Sequence, residues 1–276
     1  MFSRFLSRRR NRASDRAVAP VAVRRDARLA DAIRLGRIAV HFQPQIEPST
    51  GRVVGVEALA RWRDCNPAQG LFARAAAGRL SERLSRAVQR RAIRAAAAWD
   101  GVLAELRLSI NVLPEDLARA DYDRWLLAEL AAAGLDPRRL TIEIVESGLV
   151  RDRPAVAARL QALRDAGVRI AVDDFGTGYA NLAYLTSLPL DSLKIDRGLV
   201  ADLVGGSRDR IVVKAMISMA RELGLSVIVE GVETPAQLAL VAAWGCDLYQ
   251  GFLGAGALDE DQLGRFVAAT NSALAA

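Results

Sequence analysis

Histidine occurs once and cysteine twice in these 276 residues. These offer no suitable set of zinc ligands, and two cysteines are too few for a disulfide framework, so Cys65 and Cys246 predict a reducing, cytoplasmic setting. No uninterrupted apolar run reaches the roughly 18 residues that span a bilayer. The first dozen residues carry Arg4, Arg8, Arg9 and Arg10 with no apolar stretch behind them, which excludes a secretory signal. Aromatic residues make up only 5% of the chain.

The net charge of +6 is not a property of the whole sequence. Residues 1–28 hold nine Arg and two Asp, which leaves 29 basic and 30 acidic residues for the remainder. A balanced body with few aromatics gives no sign of a DNA- or RNA-binding surface. The basic leader, residues 1–28, admits two readings. Its short apolar face favours a solvated, disordered segment. The other reading is contact with an anionic membrane surface through Phe2, Phe5 and Leu6, peripheral at the inner membrane face.

What is abundant is alternation. Ala27 to Gly36 predicts a helix, Arg37 to Ile46 a strand and Val53 to Trp62 a second strand. Six residues, Glu47 to Arg52, join these strands. That is enough for a hairpin and too short for a parallel crossover, so the first strand should run antiparallel to the second. Further strands are expected at Leu106–Val112, Leu140–Val145, Ile170–Asp173, Ser192–Ile195, Ser226–Val229 and Leu248–Gln250. Helices are expected near 81–98, 115–133, 153–166, 181–187, 207–223, 234–244 and 259–273. Thr234-Pro235 reads as a helix start, and Gly167 and Gly224 as stops. Strand–helix alternation implies a parallel sheet with helices outside it, and eight strands suffice to close it. The fold class is α/β, a TIM-like (β/α)8 barrel with its first strand antiparallel, spanning residues 29–276.

Nearly every expected strand ends on a polar residue: Glu57, Asn111, Glu143, Asp173 with Asp174, Lys194 with Asp196, Glu230 and Gln250. In a barrel these converge on one mouth, where such folds build active sites. Any single acid among them could be a helix cap or an ion-pair partner. Glu57, Glu143, Asp173, Asp174 and Glu230 together, offset only by Lys194, would be prohibitively costly without counter-ions. Oxygen ligands with no His or Cys set point to two Mg²⁺ or Mn²⁺ ions rather than zinc. Such a pair could clamp the attacking and leaving oxygens of a phosphodiester. His41 alone reads as a packed core residue, Cys246 as core and Cys65 as a loop thiol.

The ordered series Val56-Glu57-Ala58-Leu59-Ala60-Arg61-Trp62, Asn111-Val112, Glu143-Ile144-Val145-Glu146-Ser147, Asp173 to Tyr179, Leu193 to Arg197, Glu230 to Thr234 and Gln250-Gly251-Phe252 resembles the EAL-domain family of cyclic di-GMP phosphodiesterases over about residues 36–258. The resemblance implies that family's barrel, which the short hairpin suggests independently. It implies Glu57, Asn111, Glu143, Asp173, Asp174 and Glu230 as metal ligands, and Lys194 as the group that holds and activates the attacking water. Glu230 is also a candidate base. Arg61, on the same strand face as Glu57, would contact phosphate. Glu146 would position the Asp173–Leu182 loop, with Asp196, Glu233 and Gln250 as outer or supporting groups. Gln43 either lines the substrate pocket or is a buried, hydrogen-bonded strand residue.

The sequence departs from the family in three places. Ala77 stands where the family has a glutamate within Leu71–Arg79. Leu253–Ala257 lacks a basic residue and a proline, and Leu113 replaces a small polar residue. None of these removes an expected ligand. The expected function is hydrolysis of cyclic di-GMP to linear pGpG. The alternative is a catalytically weak or inactive cyclic di-GMP receptor or protein-interaction module, which the altered Leu71–Arg79 segment favours. The resemblance also implies a homodimer formed near the Asp173–Leu182 loop. With no sensor domain in the sequence, control is expected from a regulatory protein partner, from assembly or from the leader.

Overall fold

The structure, a computed structural model, describes residues 26–64, 68–145, 153–176, 183–206 and 208–274. Eight strands form a closed barrel in chain order. They are β1 Ala39–Ile46, β2 Val53–Arg61, β3 Arg107–Val112, β4 Leu140–Val145, β5 Arg169–Phe175, β6 Ser192–Ile195, β7 Ser226–Glu230 and β8 Leu248–Gln250. β1 runs antiparallel to β2, pairing Gln43 with Glu57, and closes on β8 through Ile46 opposite Tyr249. All other neighbours are parallel. The six-residue link therefore does what its length requires.

Period-two alternation sorts each strand into two faces. The outward set includes Val56, Leu108, Ile110, Ile142, Ile170, Leu193, Val227 and Val229, all fully or almost fully buried. Burying each such side chain contributes about 1.5–3 kcal/mol, and together they form the layer on which the helices pack. These are α1 Ala27–Arg34, α2 Ala68–Ala77, α3 Ser81–Ala98, α4 Pro114–Leu117, α5 Tyr122–Ala133, α6 Arg153–Asp165, α7 Ala183–Ser187, α8 Arg197–Val200, α9 Arg208–Glu222, α10 Pro235–Ala243 and α11 Glu260–Leu274. Asp26 caps α1 by accepting from the Leu29 amide, so regular structure begins two residues before the expected domain start at 29. Thr234 and Gln237 form a reciprocal capping box on α10, with Pro235 in its first turn. No described helix is long and apolar enough to cross a membrane.

Two expectations need correction. The single helix expected over 115–133 is two, α4 and α5. The Asp116 side chain turns back to accept from the Leu113 amide at 3.2 Å and from the Ser85 hydroxyl. The Arg119 and Tyr122 amides then make short-range bonds three residues back, which end the first helix. His41 is also not a core residue. It is half-buried and lines a surface recess with Arg61, Trp62 and Arg63. Because β1 is antiparallel, its first residues stand at the open rim rather than in the barrel. Cys246 is buried as expected, and burial pushes its thiol up to about 12. Cys65 lies outside the described residues.

Candidate active site

The inward face of the strands is mostly polar, and its acids gather at the C-terminal mouth. The register explains why. Glu57 pairs with Ser109, Asn111 with Glu143, Val145 with Asp173, and Glu230 with Gln250. The parallel register thus delivers these inward residues to one end of the barrel. Two glycines fix the exits. Gly231 follows Glu230 at φ +68°, and a Cβ there would sit 2.3 Å from Arg197 Cβ. Gly251 follows Gln250 so closely against Val232 that a Cβ would meet its carbonyl oxygen at 2.2 Å. Neither position accepts a side chain without moving the backbone at Arg197 or Val232.

Lys194, fully buried on β6, is the hub. Its Nζ lies 2.6 Å from Glu230, 2.7 Å from Glu143, 3.1 Å from Asp173 and 3.4 Å from Glu57. Glu57 is held by further donors: Asn111 Nδ2 donates to Oε1 at 2.7 Å, and Gln250 Nε2 donates to Oε2 at 2.7 Å. Gln250 also donates to Gln43 Oε1 at 3.1 Å, and Gln43 donates to the Ala255 carbonyl at 3.2 Å. Gln43 is therefore both a hydrogen-bonded strand residue and part of the mouth lining.

One ammonium cannot serve four carboxylates equally, and the pKa directions show the division. Burial alone would raise Glu57, but Lys194, Gln250 and Asn111 outweigh it and hold that carboxyl below the usual range. Burial pushes Glu143 well up despite Lys194, because Glu57 and Asp173 crowd it. Its Oε1 is buried without a hydrogen-bond partner. Burial likewise carries Glu230 to about 7, with Lys194 opposing and Asp173 and Glu57 adding to the rise. Asp174 is raised by burial and by the nearby Asp173 and Asp196 charges. It adopts a left-handed backbone, φ +55°, uncommon for a residue with a side chain. Against these acids, the four carboxylates raise Lys194 well above the usual lysine value although burial opposes them.

This arrangement suits cations. Oxygens of Asp173, Asp174 and Glu230 lie within 4.8 Å of one another, and the unpartnered Glu143 oxygen sits in the same crowded cluster. Hard carboxylate oxygens without nitrogen or sulfur ligands are the donor set for Mg²⁺ or Mn²⁺.

Without such ions the acids should make the fold pH-sensitive. A carboxyl whose pKa is higher folded than unfolded favours folding at low pH. The advantage is lost as pH climbs from the unfolded value near 4.5 through the folded one, about 7 for Glu230. That swing is on the order of 3 kcal/mol for Glu230, and Glu143 acts in the same direction. Glu57, shifted down, acts oppositely and below this window. In chelator, the unfolding temperature should fall between about pH 5 and pH 8, and millimolar Mg²⁺ or Mn²⁺ should remove the fall. A chelated chain whose stability climbs over that range would contradict the crowding.

The mouth opens into a cavity of about 460 Å³ that also takes in Arg61, Asp196, Glu233 and Phe252. Arg61 is partly buried, which lowers its pKa while the nearby Glu57 charge opposes the change. Its guanidinium donates to the Ala60 carbonyl at 3.0 Å. Asp196 caps α8 by accepting from the Gly198 amide at 2.8 Å. Glu233 is exposed at the rim. Glu146 and residues 177–182 of the expected loop lie outside the described residues.

The mouth also holds side chains to which the sequence analysis gives no role. Phe252 is 73% exposed there, a large apolar surface left in solvent. Phe72, from α2, lines the same cavity, whereas Ala77 is exposed and does not. Behind Asn111, Gln89 of α3 donates to the Asn111 carbonyl at 3.0 Å and accepts from Tyr122 at 3.2 Å. This fully buried set, with Ser85 and Asp116, anchors the end of β3 from outside the barrel.

Comparison with known proteins agrees with this geometry. The family model for the EAL domain matches residues 26–257. The cyclic di-GMP phosphodiesterase PA2567 of Pseudomonas aeruginosa is 39% identical over 228 residues, 80% of this chain and 38% of that protein. The chain spans about a third of the length of the curated relatives it matches. Among solved structures, the PaMucR phosphodiesterase in complex with c-di-GMP superimposes with a TM-score of 0.77 at 34% identity, covering 86% of this chain and 99% of that one. Klebsiella pneumoniae BlrP1, solved with manganese and cyclic di-GMP, gives a TM-score of 0.71 at 32% identity, covering 80% of this chain and 56% of that one. With the model matching through the whole barrel and every strand in place, this chain belongs to the EAL domain family.

Proposed function

We propose that this chain is a divalent-metal-dependent phosphodiesterase that hydrolyses cyclic di-GMP to linear pGpG. The carrying observation is the mouth itself: four carboxylates share a single buried lysine, with Asp174 beside them, at the bottom of a cavity rimmed by an arginine and an exposed phenylalanine. A binding surface gains nothing from such crowding, whereas metal-assisted phosphodiester chemistry requires it. The names of PA2567 and PaMucR support the same substrate.

In this reading Glu57, Asn111, Glu143, Asp173, Asp174 and Glu230 hold two ions, Mg²⁺ or Mn²⁺, and BlrP1 supports the latter. When bound, the ions supply Lewis-acid stabilisation of phosphate charge and make water a stronger acid. The chain's own residues do the rest. Arg61 offers a planar guanidinium to a phosphate oxygen. Gln250 and Asn111 keep both Glu57 oxygens oriented, and Gln43 fixes Gln250. Lys194 holds the acids together and favours developing negative charge on the attacking water. Glu230, with a pKa near neutrality before ions bind, is suited to receive that water's proton. Phe252 and Phe72 give flat apolar surface for a base. Glu146 positions the loop above, and Asp196 and Glu233 support the rim.

The chain would act in the cytoplasm as residues 29–276, with the leader resting on the inner membrane face or free in solvent. A homodimer and a regulatory protein partner belong to the same proposal. Turnover of cyclic di-GMP with Mn²⁺, with and without chelator, tests the reading. Linear pGpG should appear only with the ion. Tight binding without product would instead identify the receptor.

A further inference from the structure

The opposite end of the barrel has no part in this chemistry, yet it holds a second cavity of about 450 Å³. A barrel core at the N-terminal end is ordinarily filled by branched apolar side chains. Here the inward positions are Arg107 on β3, Ser109 above it, Thr141 on β4, Arg169 on β5 and Ser192 on β6. All five line the cavity. Thr141 and Ser192 are more than nine-tenths buried, at 7% and 8% exposure, and neither hydroxyl has a hydrogen-bond partner among the described residues. Hydroxyls that reach the cavity without a protein partner are free to bond a polar occupant.

The charges at its entrance point to the sign. Arg107 and Arg169 begin alternate strands on either side of β4. Neither guanidinium makes an ion pair or hydrogen bond to a described residue. Burial, and then the like charge of Arg169, both lower the Arg107 pKa, and no carboxylate offsets them. Of the three acids that also line the cavity, Asp191 is ion-paired, while Asp247 and Glu47 accept hydrogen bonds from neutral groups of their own surroundings. Asp191 takes Arg164 at 3.1 Å and the Ile170 amide at 2.9 Å. Asp247 takes the Val227 amide at 2.7 Å, and Glu47 takes the Thr50 hydroxyl. Arg52 borders an adjoining groove that Arg107 and Arg169 also line. Two guanidiniums near enough to feel each other's charge, with unused planar forks, favour a tetrahedral oxyanion placed between them, which can take charge-assisted bonds from both.

We propose that the N-terminal end of the barrel binds a small phosphate-bearing molecule. Its phosphate sits between Arg107 and Arg169, and its remainder reaches the Thr141 and Ser192 hydroxyls. The cavity is larger than a phosphate ion and too confined for an extended polymer, so a phosphate monoester of mononucleotide size fits it. The site is independent of the metal cluster and of the activity proposed there.

The test uses the whole chain in chelator, which keeps phosphate from binding through ions at the mouth. Inorganic phosphate and AMP are titrated by calorimetry against chloride at matched ionic strength. Both should bind saturably, AMP more tightly, and chloride should not. Arg169→Gln changes an exposed side chain and should leave the unfolding temperature in chloride unaltered, yet weaken binding roughly tenfold or more. Arg107→Gln should weaken it at least as much, and Ser192→Ala should weaken AMP more than phosphate. Non-saturating responses matching those of chloride would overturn the site. So would saturable binding that survives both arginine substitutions.

Discussion

Glu230→Gln should reduce turnover of cyclic di-GMP by on the order of 10²–10³-fold or more while raising the stability of the metal-free chain. The two effects have one cause. Glu230 lies 2.6 Å from Lys194, and its oxygens cluster with those of Asp173 and Asp174. Glutamine has nearly the same shape and keeps one oxygen to accept from Lys194, so the fold is preserved. What disappears is a negative charge that burial and two other acids already push toward neutrality. Without ions, that removal relieves repulsion and the swing in stability up to pH 7. With ions, it deletes a hard ligand and the group suited to take a proton, and losses of this size follow removal of one transition-state contact. Activity and unfolding temperature in chelator should therefore move in opposite directions. Glu57→Gln is a poorer test, because both Glu57 oxygens accept from amide donors and a new NH₂ would face one of them. Retained turnover in Glu230→Gln, or a less stable chelated variant, would remove Glu230 from the metal cluster.

The barrel was legible because its two codes are local. Outward strand positions are Val, Ile and Leu at period two, and the terminal polar residue of each strand marks the mouth. The six-residue hairpin set the direction of β1 by length alone. Other features depend on distance through space rather than along the chain. Gln89 sits on a helix face whose neighbours read as apolar, and only the docking of α3 against β3 brings it to the Asn111 carbonyl. Asp116 breaks the expected helix because Ser85, from a different helix, is there to meet it. His41, as a lone imidazole, reads as a core residue, but that does not say where its strand leaves the barrel. Arg107 and Arg169 look like ordinary polar strand starts until the register places them on either side of Thr141.

These positions share a physical feature. The barrel carries charge where packing alone would place apolar side chains, with buried acids around one lysine at the mouth and, at the solvent-open base, two arginines that have no ion-pair partner among the described residues. Such charges persist in a folded chain when something else compensates them. At the mouth part of that compensation is internal, and its weight can be measured.

Lys194→Met should therefore destabilise the metal-free chain by about 3–5 kcal/mol, the usual consequence of removing one partner from a buried ionic cluster. For a chain of this size that corresponds to a fall of roughly 10 °C or more in unfolding temperature. Methionine matches the length and volume of the lysine stem, so the loss is electrostatic and leaves no large cavity. Glu143 loses its 2.7 Å contact and keeps a second oxygen that already lacks a partner. Glu57, held low partly by Lys194, should rise, while its amide donors remain. Glu143 and Glu230, already raised by burial, lose the charge that opposed the rise, so stability should fall with pH more steeply than in the unaltered chain. Saturating Mn²⁺ should recover much of the loss, because ions supply the missing positive charge. Turnover should stay low even then, since nothing replaces the ammonium that favours charge developing on the attacking water. The three readouts separate the two roles of Lys194. If stability in chelator is unchanged and only turnover falls, the lysine is not the counter-charge of the cluster. If Mn²⁺ restores turnover as fully as it restores stability, the lysine holds the acids in place and takes no part in activating the water.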